Sequence, residues 1–268
     1  MRIIWFISLL CLGLSACKKV PITGRKQMTL IRESELVNMS EQEYRKFLAD
    51  AKVLKGTQDA QRVERIGQQI AAAVEHFYRK NKMEDKLKDF AWEFTLVDDP
   101  TVNAWCMPGG KVVFYSGILP VCLDDDGLAV VMGHEVAHAV AQHGNERMSQ
   151  GLMAQMGAVA LSVATSSQPE ATQNLFMQAY GAGATVGVLL PFSRKHETEA
   201  DRLGLVFMAM AGFNPDKAPE FWERMAALSG GAQPPVFVSS HPSNEQRIKD
   251  LKNYIPVAKR FASEYGQP

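Results

Sequence analysis

The chain has 268 residues, 46% of them hydrophobic and 22% charged. That is enough apolar material for one large packed domain, and it argues against a disordered or fibrous protein. Lys+Arg and Asp+Glu each number 29, so no net field points to nucleic acid or another polyanion as a partner.

Residues 1–16 read as a secretory signal rather than as part of the fold. Arg2 gives a positive start, Ile3 to Leu14 is apolar but short for a membrane span, and Ser15-Ala16 are small. Leu14-Ser15-Ala16-Cys17 resembles a bacterial lipobox, whose cysteine is lipidated and becomes the first residue of the mature chain. Lys18 in place of aspartate does not resemble the inner-membrane retention signal. The expected location is therefore the periplasmic face of the outer membrane, with Cys17 as the anchor. Residues 17–32, with Pro21 and Gly24, are expected to be a polar tether, and residues 33–268 a single domain. Cys106 and Cys122 remain as an even pair, either a disulfide or two buried thiols.

Ser34 to Leu54 and Asp59 to Lys80 read as helices. In the second, Val63, Ile66, Ile70 and Val74 recur at spacings of three and four and form one apolar face. Ala91 to Val97 alternates as a strand, ended by Asp98-Asp99-Pro100. Val102 to Met107 and Lys111 to Tyr115 flank Pro108-Gly109-Gly110 as a hairpin. A strand at that place is either an ordinary sheet edge or an edge that pairs with an extended substrate.

Three aspartates, Asp124 to Asp126, and the later Gly144 bracket a long apolar run that contains His134-Glu135-Val136-Ala137-His138. Acids at the start and glycine at the end are helix boundary signals. Positions i and i+4 share a helix face, so His134 and His138 point the same way. Two imidazoles so placed can hold one zinc ion. Glu135 lies about 100° round the helix, able to reach a zinc-bound water without ligating the metal. Burying both histidines and a glutamate unpartnered would cost several kcal/mol, and a metal supplies the partner.

Apolar stretches at 151–165 and 175–190 read as a helical hairpin on the core, with membrane dipping as the minority reading. A helix from Ser193 to Ala211 carries Glu197, Glu199 and Asp201, the candidates for a third ligand. Glu197 and Asp201 share a face, while Glu199 points roughly opposite. If the Asp201 face looks at the metal, Glu197 is the ligand and Asp201 can hold a ligand histidine; Glu199 then suits an exposed helix start. Further helices cover Asp216 to Leu228 and, after Ser240-His241-Pro242, residues up to Tyr254. His76, His143 and His196 receive no functional role: His76 is read as exposed and His143 as a helix end.

The pairing of His-Glu-x-x-His with Glu197-x-x-x-Asp201 resembles the gluzincin metallopeptidases related to the type I CAAX prenyl protease. Within them it resembles the bacterial periplasmic branch associated with the outer membrane. Asn103-Ala104 with Pro108-Gly109-Gly110, Ser193-Arg194, Phe213-Asn214-Pro215, and Ser240-His241-Pro242 with Arg247 add to the match, which covers roughly Thr101 to Leu251. The resemblance implies a mainly α zincin-like domain, with a small β-sheet or hairpin beside the zinc helix. It implies one Zn2+ per chain on His134, His138 and Glu197, with Glu135 as general base. It implies that Asn103, Ala104 and Trp105 align the substrate, and that His241 acts as an oxyanion donor or as a latent fourth ligand. Unfolded or misassembled envelope proteins are the implied substrates, with outer-membrane assembly machinery or an adaptor as a further partner. The alternatives are a zinc-bearing chaperone or scaffold with little proteolysis, and an integral-membrane protease.

Overall fold

The computed structural model describes residues 17–156, 193–228, 235–242 and 245–266. The expected signal, residues 1–16, lies outside them, as does most of the apolar hairpin at 151–190. Among the described residues no helix is long and apolar enough to cross a membrane.

A four-stranded sheet and a set of helices share one main core. The sheet contains β3 (Val53–Leu54), β4 (Glu93–Val97), β5 (Ala104–Met107) and β6 (Lys111–Tyr115) in the order β3-β4-β6-β5. β4 and β6 run parallel, while β5 and β6 form the expected antiparallel hairpin. Side chains alternate across the sheet. Leu96, Val112 and Phe114 enter the main core, whereas Val97, Val113 and Tyr115 join Tyr44 in a smaller cluster on the other face. That second face is covered by α1 (Glu33–Asp50). Sequence periodicity extends this helix to Leu54. The backbone instead leaves the helix at Ala51, and residues 53–54 pair with β4.

The main core is built from α2 (Gln58–Lys80), α4 (Asp125–Val140), α6 (Arg194–Met210), α7 (Lys217–Leu228) and α9 (Glu245–Tyr265), with the short α3 (Leu119–Cys122) and α8 (Val236–Ser240) beside them. α4 is buried on all sides from Gly127 to Val140, which explains its near-continuous apolar run. Asp124 caps it, accepting from Gly127 N–H at 2.8 Å. α4 and α6 cross backbone to backbone at two glycines. A Cβ on Gly133 would lie 2.8 Å from the Gly204 carbonyl oxygen, and one on Gly204 would lie 2.9 Å from the His134 nitrogen. This close crossing brings the acidic turn of α6 up to the histidines of α4.

One expectation changes at the C-terminal end of α4. The helix stops at Val140, and Gln142 adopts a left-handed backbone with φ 55°. The chain thereby doubles back, and His143 starts α5 (His143–Met156) instead of ending α4. Residues 17–32, read from the sequence as a polar tether, contain two paired strands. β1 (Cys17–Lys19) and β2 (Lys26–Met28) form an antiparallel hairpin, with Val20 buried and Arg25 bound to helices α5 and α6.

Candidate metal centre

α4 contributes His134, Glu135 and His138, all buried. α6 contributes Glu197 and Asp201, and the turn after α8 contributes His241. One ligand atom from each of His134, His138, Glu197 and His241 lies within 4.8 Å of the others. The Nε2 atoms of His134 and His138 are 3.1 Å apart, and His241 Nδ1 is 3.1 Å from His134 Nε2. The Glu197 carboxylate reaches His241 Nδ1 at 3.0 Å, His138 Nε2 at 3.3 Å and His134 Nε2 at 3.5 Å.

The hydrogen bonds around this group decide whether it fits a metal. His134 Nδ1 is 3.0 Å from Asp201 Oδ1. A carboxylate only accepts, so Nδ1 carries the hydrogen and Nε2 presents its lone pair inward. His138 Nδ1 is 3.0 Å from His143 Nδ1, and His143 Nε2 is 2.9 Å from Glu199 Oε2. With His143 Nε2–H donating to Glu199, His143 Nδ1 accepts and His138 Nδ1 donates. His138 Nε2 then also presents a lone pair inward. Two lone pairs and a carboxylate converging at this range make a favourable seat for a cation. Imidazole nitrogen and carboxylate oxygen are zinc ligands, so the residues present fit the metal.

Burial and charge shape the remaining groups. Burial, helped by the nearby Glu197 charge, lifts Glu135 to about 7 against His241, Arg247 and a hydrogen bond from the Cys106 backbone. Burial pushes His138 well below the usual histidine range, against the pull of Glu197. It also takes His143 down to about 4, against its bond to Glu199. Glu197 resists the upward push of burial and is held well below the carboxylate range by His241, His134 and His138.

Arg247, which the sequence shows only as part of a motif, lies in the first turn of α9. It is buried, donates to Asp201 Oδ1 at 2.6 Å and lies 3.1 Å from Glu197 Oε2. Its guanidinium stacks 3.3 Å over the Trp222 ring. It also donates to the His241 and Pro242 carbonyls, which ties the His241 turn to the two acids. A buried arginine reaching two carboxylates gives this corner a fixed geometry.

β5 lies at the edge of the sheet and next to Glu135. Asn103 C=O accepts from Tyr115 N–H, and Met107 C=O from Gly110 N–H. Asn103 and Trp105 therefore spend their backbone groups on β6, and the outward-facing positions are Ala104 and Cys106. The Trp105 side chain packs edge-on against Tyr44 and Phe47 on the far face of the sheet. Of the expected substrate-aligning residues, only Ala104 faces outward.

Cys106 and Cys122 are free, buried thiols, the second of the two readings open to the pair. Cys106 has Glu135 as a charged neighbour, whereas Cys122 ends α3 among Arg62, Arg224 and Asp124. Of the minor histidines, His76 and His143 differ from expectation. His143 and His196 are buried, His196 bonding Glu146 at 3.0 Å, and His76 is only half-exposed. Glu199 does point away from the metal group, as its helix position requires, but it is buried and not an exposed helix start.

The sequence profile of Peptidase family M48 matches residues 58–255, nearly three quarters of the chain. The chain belongs to this family. Among curated relatives, mitochondrial metalloendopeptidase OMA1 of Schizosaccharomyces pombe is 40% identical over 173 residues, covering 64% of this chain and 49% of the relative. Human mitochondrial metalloendopeptidase OMA1 is 29% identical over 243 residues, 89% of this chain and 46% of the relative. The beta-barrel assembly-enhancing protease of Yersinia pestis is 28% identical over 167 residues, 60% of this chain and 34% of the relative. The chain thus aligns with about half the length of these relatives or less. M48 metallopeptidases use zinc, and the His134, His138, Glu197 and His241 group is one that can hold a single ion.

Metal titration of variants checks the ligand set. Glu197→Ala is expected to lose one-to-one zinc binding, and Glu199→Ala to keep that stoichiometry. Asp201→Ala is expected to weaken zinc by about 10–100-fold, as loss of a carboxylate behind a ligand histidine does. The reverse order for the two glutamates would move the ligand to Glu199.

Proposed function

We propose that this M48 chain is a zinc endopeptidase of the bacterial envelope that cleaves unfolded or misassembled proteins. In this reading His134, His138 and Glu197 hold the metal and Glu135 is the general base. The observation that carries it is the convergence of inward-facing histidine lone pairs and the Glu197 carboxylate beside Glu135.

Zinc held there supplies a Lewis acid that lowers the pKa of water toward about 7 and polarises a carbonyl. The chain's own residues do the rest. Glu135 Oε1 is buried without a hydrogen-bond partner among the described residues. Glu135 can take a proton from the attacking water and deliver it to the leaving amine. Asp201 and Arg247 hold His134 and Glu197 in place. The outward edge of β5 at Ala104 aligns an extended substrate as an added strand. His241 serves as the fourth ligand at rest, because its Nδ1 already sits within the ligand group. A protein ligand in that position closes the site, so substrate entry then requires the turn after α8 to move.

The envelope location rests on the signal-like residues 1–16 and the lipobox ending at Cys17. The Yersinia pestis relative, named for beta-barrel assembly, supports a link to outer-membrane assembly; the OMA1 relatives are named as mitochondrial. In this reading Cys17 carries the membrane anchor and the β1–β2 hairpin follows it directly.

Glu135→Gln is expected to keep zinc and fold while hydrolysis of an unfolded protein falls by about 10²–10⁴-fold. Near-wild-type turnover by the metal-replete variant contradicts the assignment. Cys17→Ser is expected to release the protein into the soluble periplasmic fraction with peptidase activity intact, since lipid anchoring depends on the acyl chains. Continued sedimentation with membranes after a carbonate wash contradicts the lipid anchor.

A further inference from the structure

The N-terminal hairpin is joined to the metal centre by an unbroken run of hydrogen bonds. Arg25, in the β1–β2 turn, grips two acids at once. Its Nε donates to Glu199 Oε2 at 2.6 Å, and its two terminal nitrogens reach the Glu146 carboxylate at 2.9 and 2.7 Å. Thr23 also donates to Glu199. Glu146 is shared with His196, whose ring stacks on His143. Glu199 receives His143 Nε2–H, and His143 Nδ1 faces His138 Nδ1. Every polar side chain in this run lies mostly or wholly out of water.

We propose that His143 and Glu199 are positioning residues for the metal centre, and that the N-terminal hairpin holds them in register through Arg25 and Thr23. The inference rests on the reading of His138 as a metal ligand through Nε2.

Ligation through Nε2 requires a lone pair there, so His138 must carry its hydrogen on Nδ1. The group that faces Nδ1 is His143, which must therefore accept. An imidazole that accepts at Nδ1 donates at Nε2, and the acceptor placed at that atom is Glu199. His134 is held by one carboxylate directly, whereas His138 is held by a carboxylate acting through a second imidazole. A ligand histidine whose far nitrogen is fixed in this way keeps both its tautomer and its ring orientation. Glu199 itself lies on a helix face turned away from the metal. Without Thr23 and Arg25 it would lose two of its three donors and its counter-charge. The hairpin thus acts on zinc affinity without touching the metal site.

The experiment uses the full chain and zinc alone as the probe. Zinc affinity is measured by chelator competition for wild type, His143→Leu, His143→Gln, Arg25→Met and Arg25→Lys. His143→Leu is expected to weaken zinc by about 10–100-fold. His143→Gln is expected to recover most of that, because glutamine can accept from His138 and donate to Glu199. Arg25→Met is expected to weaken zinc less than His143→Leu does, with partial recovery in Arg25→Lys. Separately, 15N spectra of the histidine rings in zinc-loaded wild type, which need no variant, are expected to show His138 as the Nδ1–H form and His143 as the Nε2–H form. Equal affinities for His143→Leu and wild type, or a His143 hydrogen on Nδ1 alone, would overturn the proposal. Unchanged zinc affinity in His138→Ala would instead overturn the metal-centre reading beneath it.

Discussion

Two buried imidazole nitrogens, 3.1 Å apart and faced by a carboxylate, form a ready-made cradle for a cation. That arrangement organises the rest of the structure. Polar groups behind the two ligand histidines keep those nitrogens pointing inward. Asp201 fixes the hydrogen of His134, and His143 with Glu199 fixes that of His138. Arg247 supplies the counter-charge for Asp201 and Glu197 where water cannot. Helices α4 and α6 bring the parts together by crossing at Gly133 and Gly204, where no side chain intervenes.

The parts of this site that follow from local spacing were legible in the sequence. His134, Glu135 and His138 form one short motif, and its apolar setting made burial of the three groups plain. Glu197 and Asp201 follow from helix geometry once one of them is aimed at the metal. The mainly α fold and the hairpin of β5 and β6 follow from periodicity and from Pro108-Gly109-Gly110. What was not legible depends on where the chain turns. A left-handed backbone at Gln142 converts His143 from a helix end into the first residue of α5, buried against His138. No periodicity signals that reversal, because glutamine carries none of the usual preference for such a conformation. The same holds for Glu199, whose helix face identifies it as remote from the metal but cannot show that Arg25 and Thr23 come to meet it from more than 170 residues away.

The edge strand shows a further limit of pattern reading. Alternation locates β5, but the choice between Asn103 and Ala104 as the outward position depends on which residues bond to β6. The Tyr115 to Asn103 bond decides it. The Trp105 side chain packs against Tyr44 and Phe47 on the far face of the sheet. Cys106 sits at the same edge, with its backbone against Glu135, so the strand and the proposed base share one wall of the site.

The most direct test of this account is anomalous diffraction at the zinc edge from crystals of the metal-loaded full chain. The account predicts one peak per chain, within zinc-bonding distance of His134 Nε2, His138 Nε2, a Glu197 oxygen and His241 Nδ1, with Asp201 and Glu199 outside that distance. A peak instead among His143, His196, Glu146 and Glu199, or no ordered peak at stoichiometric loading, would contradict it.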